Sequence, residues 1–322
     1  MQVKSWIKAR LSFLFRHSWV LMYHRIADPD FDPWNLAVKP EIFEEQLAWL
    51  RRHRTILSVE DMVARFRNGN LGKHAVSLSF DDGYLDNYIT ALPLLERYEI
   101  PATFFICTET VLQQTPYWWD EFDQIVLFDN GNGEHQLSVN GSDFAFNFDQ
   151  QENDAQLRQW RYPHAPPNEK GRTYMRLWEQ LRKLRHDERV TLLQQWKQQI
   201  CTSPPKTPAV INLQQLKTIA QHPLISIGAH TARHPALQYL DREMQKEEIQ
   251  SNKQWLEDVC NQPVNLLAYP HGSYNDHTFS IANELGFTAA FATHSNPLKR
   301  STHLFNIGRF MVTNETQFKR AL

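Results

Sequence analysis

Ala75-Val76-Ser77-Leu78-Ser79-Phe80-Asp81-Asp82-Gly83 is the stretch on which the fold of this 322-residue chain turns. Six apolar or small residues make a run of the kind found in strands buried on both faces. The run then stops at two adjacent carboxylates and a glycine, residue types suited to a sharp turn. Runs of the same kind recur at Trp19 to His24, Ala102 to Cys107, Leu224 to Ala229, Asn265 to Tyr269, Thr288 to Thr293 and Phe305 to Val312. Helix-patterned segments separate most of them: 40 to 53, a second starting at the cap Ser58, 86 to 98, 241 to 259 and 275 to 285. Alternating strands and helices predict a parallel sheet with crossover helices. Seven strands predict an α/β fold, a distorted barrel one strand short of the usual eight.

The alternation is interrupted between about Thr108 and Pro208, which is too long for a simple loop. Within it, Asn140-Gly141 predicts a hairpin turn. Pro163, Pro166 and Pro167 form a joint. Arg172 to Ile200 reads as one amphipathic helix, and Pro204-Pro205 closes the segment. The expectation is one barrel domain over 1–322 carrying an α+β subdomain at 109–208.

Composition narrows the function. The chain is 42% hydrophobic and 22% charged with a formal charge of −2, so it can build a core and has no basic excess for nucleic acid. Three cysteines without CxxC spacing argue against a disulfide framework or a thiolate zinc site and fit a reducing compartment. No apolar run is long enough to span a bilayer. Residues 4–16 combine Lys4, Lys8 and Arg10 with Trp6, Ile7, Leu11, Leu14 and Phe15, the pattern of a short basic amphipathic helix. Packing on the body and contact with an anionic membrane surface are both open to such a helix. With no clean export signal, a cytoplasmic location, peripheral at the inner membrane face, is the expectation.

The chemistry concentrates at two strand ends. Asp81 and Asp82 follow one predicted strand. His230 and His234 follow another, in the run Gly228-Ala229-His230-Thr231-Ala232-Arg233-His234. Barrel enzymes carry their sites at such C-terminal strand ends. One carboxylate and two imidazoles hold a cation with positions to spare, and leave the second carboxylate as a base. Zn²⁺ suits this donor set, with Co²⁺, Ni²⁺ and Fe²⁺ as alternatives.

These motifs resemble the polysaccharide deacetylase family, the NodB-homology group of carbohydrate esterases. Phe80-Asp81-Asp82-Gly83 and His230-Thr231-Ala232-Arg233-His234 carry the likeness. Leu21-Met22-Tyr23-His24-Arg25, Pro101-Ala102-Thr103-Phe104-Phe105 and Ala268-Tyr269-Pro270-His271-Gly272 support it. The resemblance implies a NodB-like barrel and a metal-dependent hydrolase that removes acetyl groups from N-acetylated sugars of a polysaccharide, envelope glycan or glycan precursor. It implies that Asp82, His230 and His234 hold the metal, that Asp81 takes a proton from the attacking water, and that the backbone N–H of His271 stabilises the oxyanion.

Family members often place an arginine shortly before the proline. Leu266, Leu267 and Ala268 stand there instead, so Arg309 on the last strand is the expected substitute. The family's later Asp-Trp and Leu-x-His motifs are not recognisable, which leaves the acid open among His24, His271 and His294, with His24 favoured. Tyr269 and Pro270 are expected at the substrate. Trp118, Trp119 and Asp120 could form a sugar-stacking wall, or anchor the inserted segment's own core. The rival readings are an O-acetyl esterase of the same fold and a glycan-binding barrel without catalysis.

Overall fold

The protein is described here by a computed structural model that covers residues 17–128, 133–147, 154–201, 209–316 and 318. Residues 4–16 and the Pro204-Pro205 pair lie outside the described residues. No helix among the described residues is long and apolar enough to cross a membrane.

Seven parallel strands form a nearly closed barrel. They are β1 (Trp19–Tyr23), β2 (Ala75–Phe80), β3 (Ala102–Ile106), β4 (Ile225–Ala229), β5 (Leu266–Ala268), β6 (Ala289–Phe291) and β7 (Arg309–Met311). Their spatial order is β6-β5-β4-β3-β2-β1-β7. The two ends meet through a parallel bridge between Phe291 and Ile307. There the Ala292 N–H donates to the Ile307 carbonyl at 2.8 Å and the Ile307 N–H to Ala290 at 3.1 Å. A two-residue strand at Thr55–Ile56 runs beside the start of β2.

The barrel interior explains why the strands read as apolar runs. Tyr23, Phe80 and Phe104 face one another across register-matched positions, and Phe80 lies 5.2 Å from Tyr23 and 5.1 Å from Phe104 by ring centroid. Burying each such ring contributes about 1.5–3 kcal/mol. This layer lies directly beneath Asp81, whose N–H donates to the Tyr23 carbonyl at 3.0 Å. On β4 the absence of a side chain at Gly228 admits the Phe105 ring, 2.3 Å from where a Cβ would sit.

The outer helices follow the sequence pattern closely. Ser58 caps Val59–Arg67, accepting from the Asp61 N–H at 3.1 Å. Asp241 caps Arg242–Cys260, and Asn275 caps Asp276–Glu284. The predicted 86–98 helix is instead a π-helical turn, Asn87–Ala91, followed by an α-helix, Leu92–Tyr98. Pro93 has no N–H to continue the regular ladder, and a π-turn absorbs the misfit.

The chain divides into two compact units. One comprises residues 1–28, 37–114 and 210–322, and contains the barrel. The other comprises Pro29–Leu36 and Thr115–Ala209, so the short Thr108–Gln113 helix belongs with the barrel and an early segment joins the second unit. That segment supplies Trp34, whose indole N–H donates to the Tyr174 hydroxyl at 2.8 Å and whose ring lies 4.3 Å from Trp178.

In the second unit, strands Glu134–Val139 and Ser142–Asn147 pair antiparallel about Asn140-Gly141, both at positive φ (51° and 74°), as a type I′ turn requires. The predicted 172–200 helix is two helices, Glu169–Leu181 and His186–Ile200. At about 100° per residue, one continuous helix would set buried Leu181 and Leu193 about 120° apart. The break at 182–185 lets both stripes face inward.

Asp123 is buried in this unit and accepts from the Tyr174 hydroxyl at 2.6 Å. Burial holds its carboxyl well above the usual range, against the Tyr174 bond and with help from the nearby charges of Asp120 and Asp32. A raised folded-state pKa gives stability that is full below the unfolded value and lost as pH rises through the folded one. Asp123→Asn is therefore expected to melt above the parent at neutral pH. The gap should close below about pH 4, where the unfolded carboxyl also protonates. Thermal melts across pH check this, and a gap that widens toward acid would refute it.

Candidate active site

The site sits beyond the C-terminal ends of β2 and β4. After β2 the chain turns through Asp82 and Gly83, at φ of 74° and 69°. Aspartate tolerates this left-handed conformation better than most residues. A Cβ at Gly83 would lie 2.9 Å from Ile106 Cδ1, so the tip of that side chain would have to shift for any other residue. The turn points two consecutive carboxylates into the same buried space, each about 2% exposed.

After β4 the chain makes a second strained turn. Thr231 and His234 have φ of 65° and 56°. The Thr231 hydroxyl accepts from the His234 N–H at 3.1 Å, which closes the turn. His230 and His234 then stand with rings edge to face, centroids 4.8 Å apart. Their Nε2 atoms lie 3.4 and 3.3 Å from Asp82 Oδ1. Among the described residues, Asp82, His230 and His234 form the one group whose donor atoms all lie within 4.8 Å of one another and could hold a metal ion.

The donor set fits a cation. His230 Nδ1 is 2.8 Å from the Ala268 carbonyl. A carbonyl only accepts, so Nδ1 carries the proton and Nε2 keeps its lone pair toward Asp82. Burial opposes the charge on Asp82, but the His230 and His234 imidazoles against it outweigh burial and hold the carboxyl well below its usual range. Burial pushes His234 down to about 4, the neutral state that a ligand needs. His230 is raised instead: burial lowers it, and the charges of Asp81 and Asp82 prevail.

Asp81 is held differently. Arg309, fully buried on β7, donates from its two terminal nitrogens to Oδ1 and Oδ2 at 2.6 and 2.7 Å. Its Nε donates to the Ala292 carbonyl at 3.2 Å, and a terminal nitrogen to the Ser79 hydroxyl at 3.3 Å. Ser79 donates onward to the Leu21 carbonyl at 3.0 Å. Burial would raise the Asp81 carboxyl, but the charges of Arg309 and His230 and the Arg309 hydrogen bonds lower it below the ordinary value. His24 Nε2 and His230 Nε2 each lie 4.0 Å from Asp81 Oδ2.

The remaining candidates divide. His271 has a φ of 56° just after Pro270, and its ring stands edge to face on His234 at 4.5 Å. Tyr269, expected at the substrate, is wholly buried: its hydroxyl donates to the Phe305 carbonyl at 2.9 Å and its ring packs on Tyr274. Pro270 is buried too. Motif position alone could not tell which way the Tyr269 ring points. Trp118 and Trp119 are buried in the second unit, where Trp119 stacks on Tyr117 at 4.4 Å and Trp118 lies 5.7 Å from Trp178. That is the core-anchor reading. Asp120 beside them is half-buried. His294 is bonded on both ring nitrogens, to Asn306 at 2.9 Å and Asn296 at 3.1 Å.

Sequence reasoning missed the residues behind the second turn. Asn252 accepts from the His230 N–H at 2.9 Å, and Glu248 accepts from the Arg233 N–H at 2.9 Å. Both sit on the Arg242–Cys260 helix, where the sequence pattern alone does not separate buried polar residues from exposed ones.

Known proteins resemble this chain in sequence and in fold. The profile of the family described as polysaccharide deacetylase matches residues 68–159 and 190–290, more than half of the chain. The protein YxkH of Bacillus subtilis (strain 168) is 20% identical over 296 residues, 91% of this chain and 71% of that one. The poly-beta-1,6-N-acetyl-D-glucosamine N-deacetylase of Staphylococcus aureus (strain N315) is 30% identical over 112 residues, which is 31% of this chain and 39% of the relative. Among solved structures, the Streptococcus pyogenes deacetylase PplD in complex with acetate superposes with a TM-score of 0.60 at 21% identity, covering 94% of this chain and 96% of that one.

Proposed function

The chain belongs to the polysaccharide deacetylase family, and from that premise we propose that it hydrolyses the acetamide of N-acetylated amino sugars in a polysaccharide with the help of a divalent cation. The observation that carries this is the buried Asp82, His230 and His234 donor set beside a second carboxylate, Asp81, gripped by Arg309. The poly-beta-1,6-N-acetyl-D-glucosamine named for the Staphylococcus aureus relatives is the first substrate class to try.

Asp82, His230 and His234 would hold the cation, with Zn²⁺ the first candidate for one carboxylate and two imidazoles. When bound, such an ion supplies an acidified water and polarises the acetyl carbonyl. The protein's own residues do the rest. Asp81 takes the proton from the attacking water. Arg309 lowers the basicity of Asp81 but keeps it ionised, which suffices when the proton donor is itself acidic. Arg309 also fixes the carboxylate plane, so that Oδ2 faces His24 and His230. The N–H of His271 is the proposed oxyanion donor, with its ring braced on His234. His24, half-buried beside Asp81, is the proposed source of the proton for the leaving amine.

The test is acetate release by chelator-stripped and Zn²⁺-reloaded protein from β-1,6-linked N-acetylglucosamine oligomers and from O-acetylated sugars. Release from the amide, only after reloading, is expected. His24→Ala is expected to lose about 10²–10⁴ in rate with the metal retained. Acetate from O-acetyl esters alone would make the protein an esterase, and glycan binding without any acetate would make it a binding barrel.

A further inference from the structure

The Arg242–Cys260 helix buries an unusual stripe against the barrel. Gln245, Glu248 and Asn252 recur at helical spacing and are 0%, 7% and 0% exposed. Buried polar groups at core-facing positions are costly unless each is bonded. Two of the three each bond to the segment between His230 and His234. Asn252 Oδ1 accepts from the His230 N–H at 2.9 Å. Its amide donates to the Ile106 carbonyl at 3.0 Å and the Thr108 hydroxyl at 2.8 Å, tying the ends of β3 and β4 together. One turn earlier, Glu248 accepts from the Arg233 N–H at 2.9 Å and from the Arg233 guanidinium at 3.2 Å. The Glu248 carbonyl also accepts from the Ala232 N–H at 3.0 Å.

Three N–H groups of the turn between the two histidines, at residues 230, 232 and 233, are thus held by one helix. The same turn contains Thr231 and His234 in the left-handed region. A β-branched residue with positive φ persists only where its surroundings over-determine it.

We propose that Asn252 and Glu248 are positioning residues that hold the strained Thr231–His234 turn, so that the His230 and His234 imidazoles converge on Asp82. This rests on the cation-site reading above. Without the clamp, the turn relaxes and the two nitrogens part. Outer partners of metal ligands are commonly worth about 10–100-fold in affinity. Gln245 serves as the internal control: it is as buried as Asn252 on the same helix, but it bonds to Leu240, Asn275 and Thr278, and to neither histidine.

The experiment titrates Zn²⁺ into metal-free wild type, Asn252→Leu, Asn252→Asp, Glu248→Ala and Gln245→Leu against a chromophoric chelator. Metal-free melting curves and the visible spectrum of the Co²⁺ forms accompany it. Asn252→Leu and Glu248→Ala are expected to lose about 10–100-fold in Zn²⁺ affinity and to alter the Co²⁺ spectrum. Asn252→Asp keeps the acceptor for His230 and should recover part of the affinity. Gln245→Leu should lower the melting temperature while leaving affinity and spectrum unchanged. Should Asn252→Leu not fold, Glu248→Ala and Asn252→Asp carry the comparison. Wild-type affinity in the clamp variants, or an equal loss in Gln245→Leu, overturns the proposal. A wild type that takes up no cation overturns the cation site itself, and the clamp with it.

Discussion

Asp81→Asn is expected to lower acetate release by about 10²–10⁴ while cation content stays at the wild-type level. The substitution removes a carboxylate that stands beside the three donors without being one of them. Asp82, His230 and His234 are untouched, so binding and turnover separate. Asparagine also places an N–H₂ where Arg309 expects an acceptor, since both carboxylate oxygens take a guanidinium bond. Activity must therefore be read on folded protein, after a melting curve. Asp82→Asn makes the contrast, losing cation and turnover together. Turnover of Asp81→Asn within tenfold of wild type would remove Asp81 as the base.

Arg309→Met is expected to carry the largest stability loss, about 3–5 kcal/mol, because it strands a buried carboxylate. For a chain of this size that corresponds to roughly 10 °C in melting temperature. Arg309 and Asp81 are 0% and 2% exposed, so water cannot replace the lost partner. The double variant, Arg309→Met with Asp81→Asn, removes both charges and should recover part of the loss. Additive losses in this cycle, measured by denaturant melts, would show that the pair is not coupled.

Much of this was legible in the sequence, for identifiable reasons. Strands covered on both faces must be apolar throughout, so all seven barrel strands stood out as short runs. Asp81, Asp82, His230 and His234 stood out because two rare patterns each followed such a run. Other features left no comparable mark. The break between Leu181 and His186 depends on which stripes need to face inward, a tertiary demand that overrides a continuous helical pattern. Gln245, Glu248 and Asn252 look like a solvated surface because a sequence does not show whether a polar stripe finds partners. Arg309 was chosen only because a residue was missing elsewhere, and its bidentate geometry is a product of the fold. The burial of the Tyr269 ring was not legible because one residue along a strand changes which face a ring occupies.

Arg309 has one more consequence. Its guanidinium reaches across the joint where the barrel meets itself, touching Ala292 beyond β6 and Asp81 beyond β2 from its own position on β7. The residue that bridges the joint is thus also the one that holds Asp81, the proposed base. If Asp81 is the base, a substitution that loosens this joint far from the histidines is expected to lower the rate through Arg309, so closure of the barrel and the aim of one carboxylate are a single structural variable.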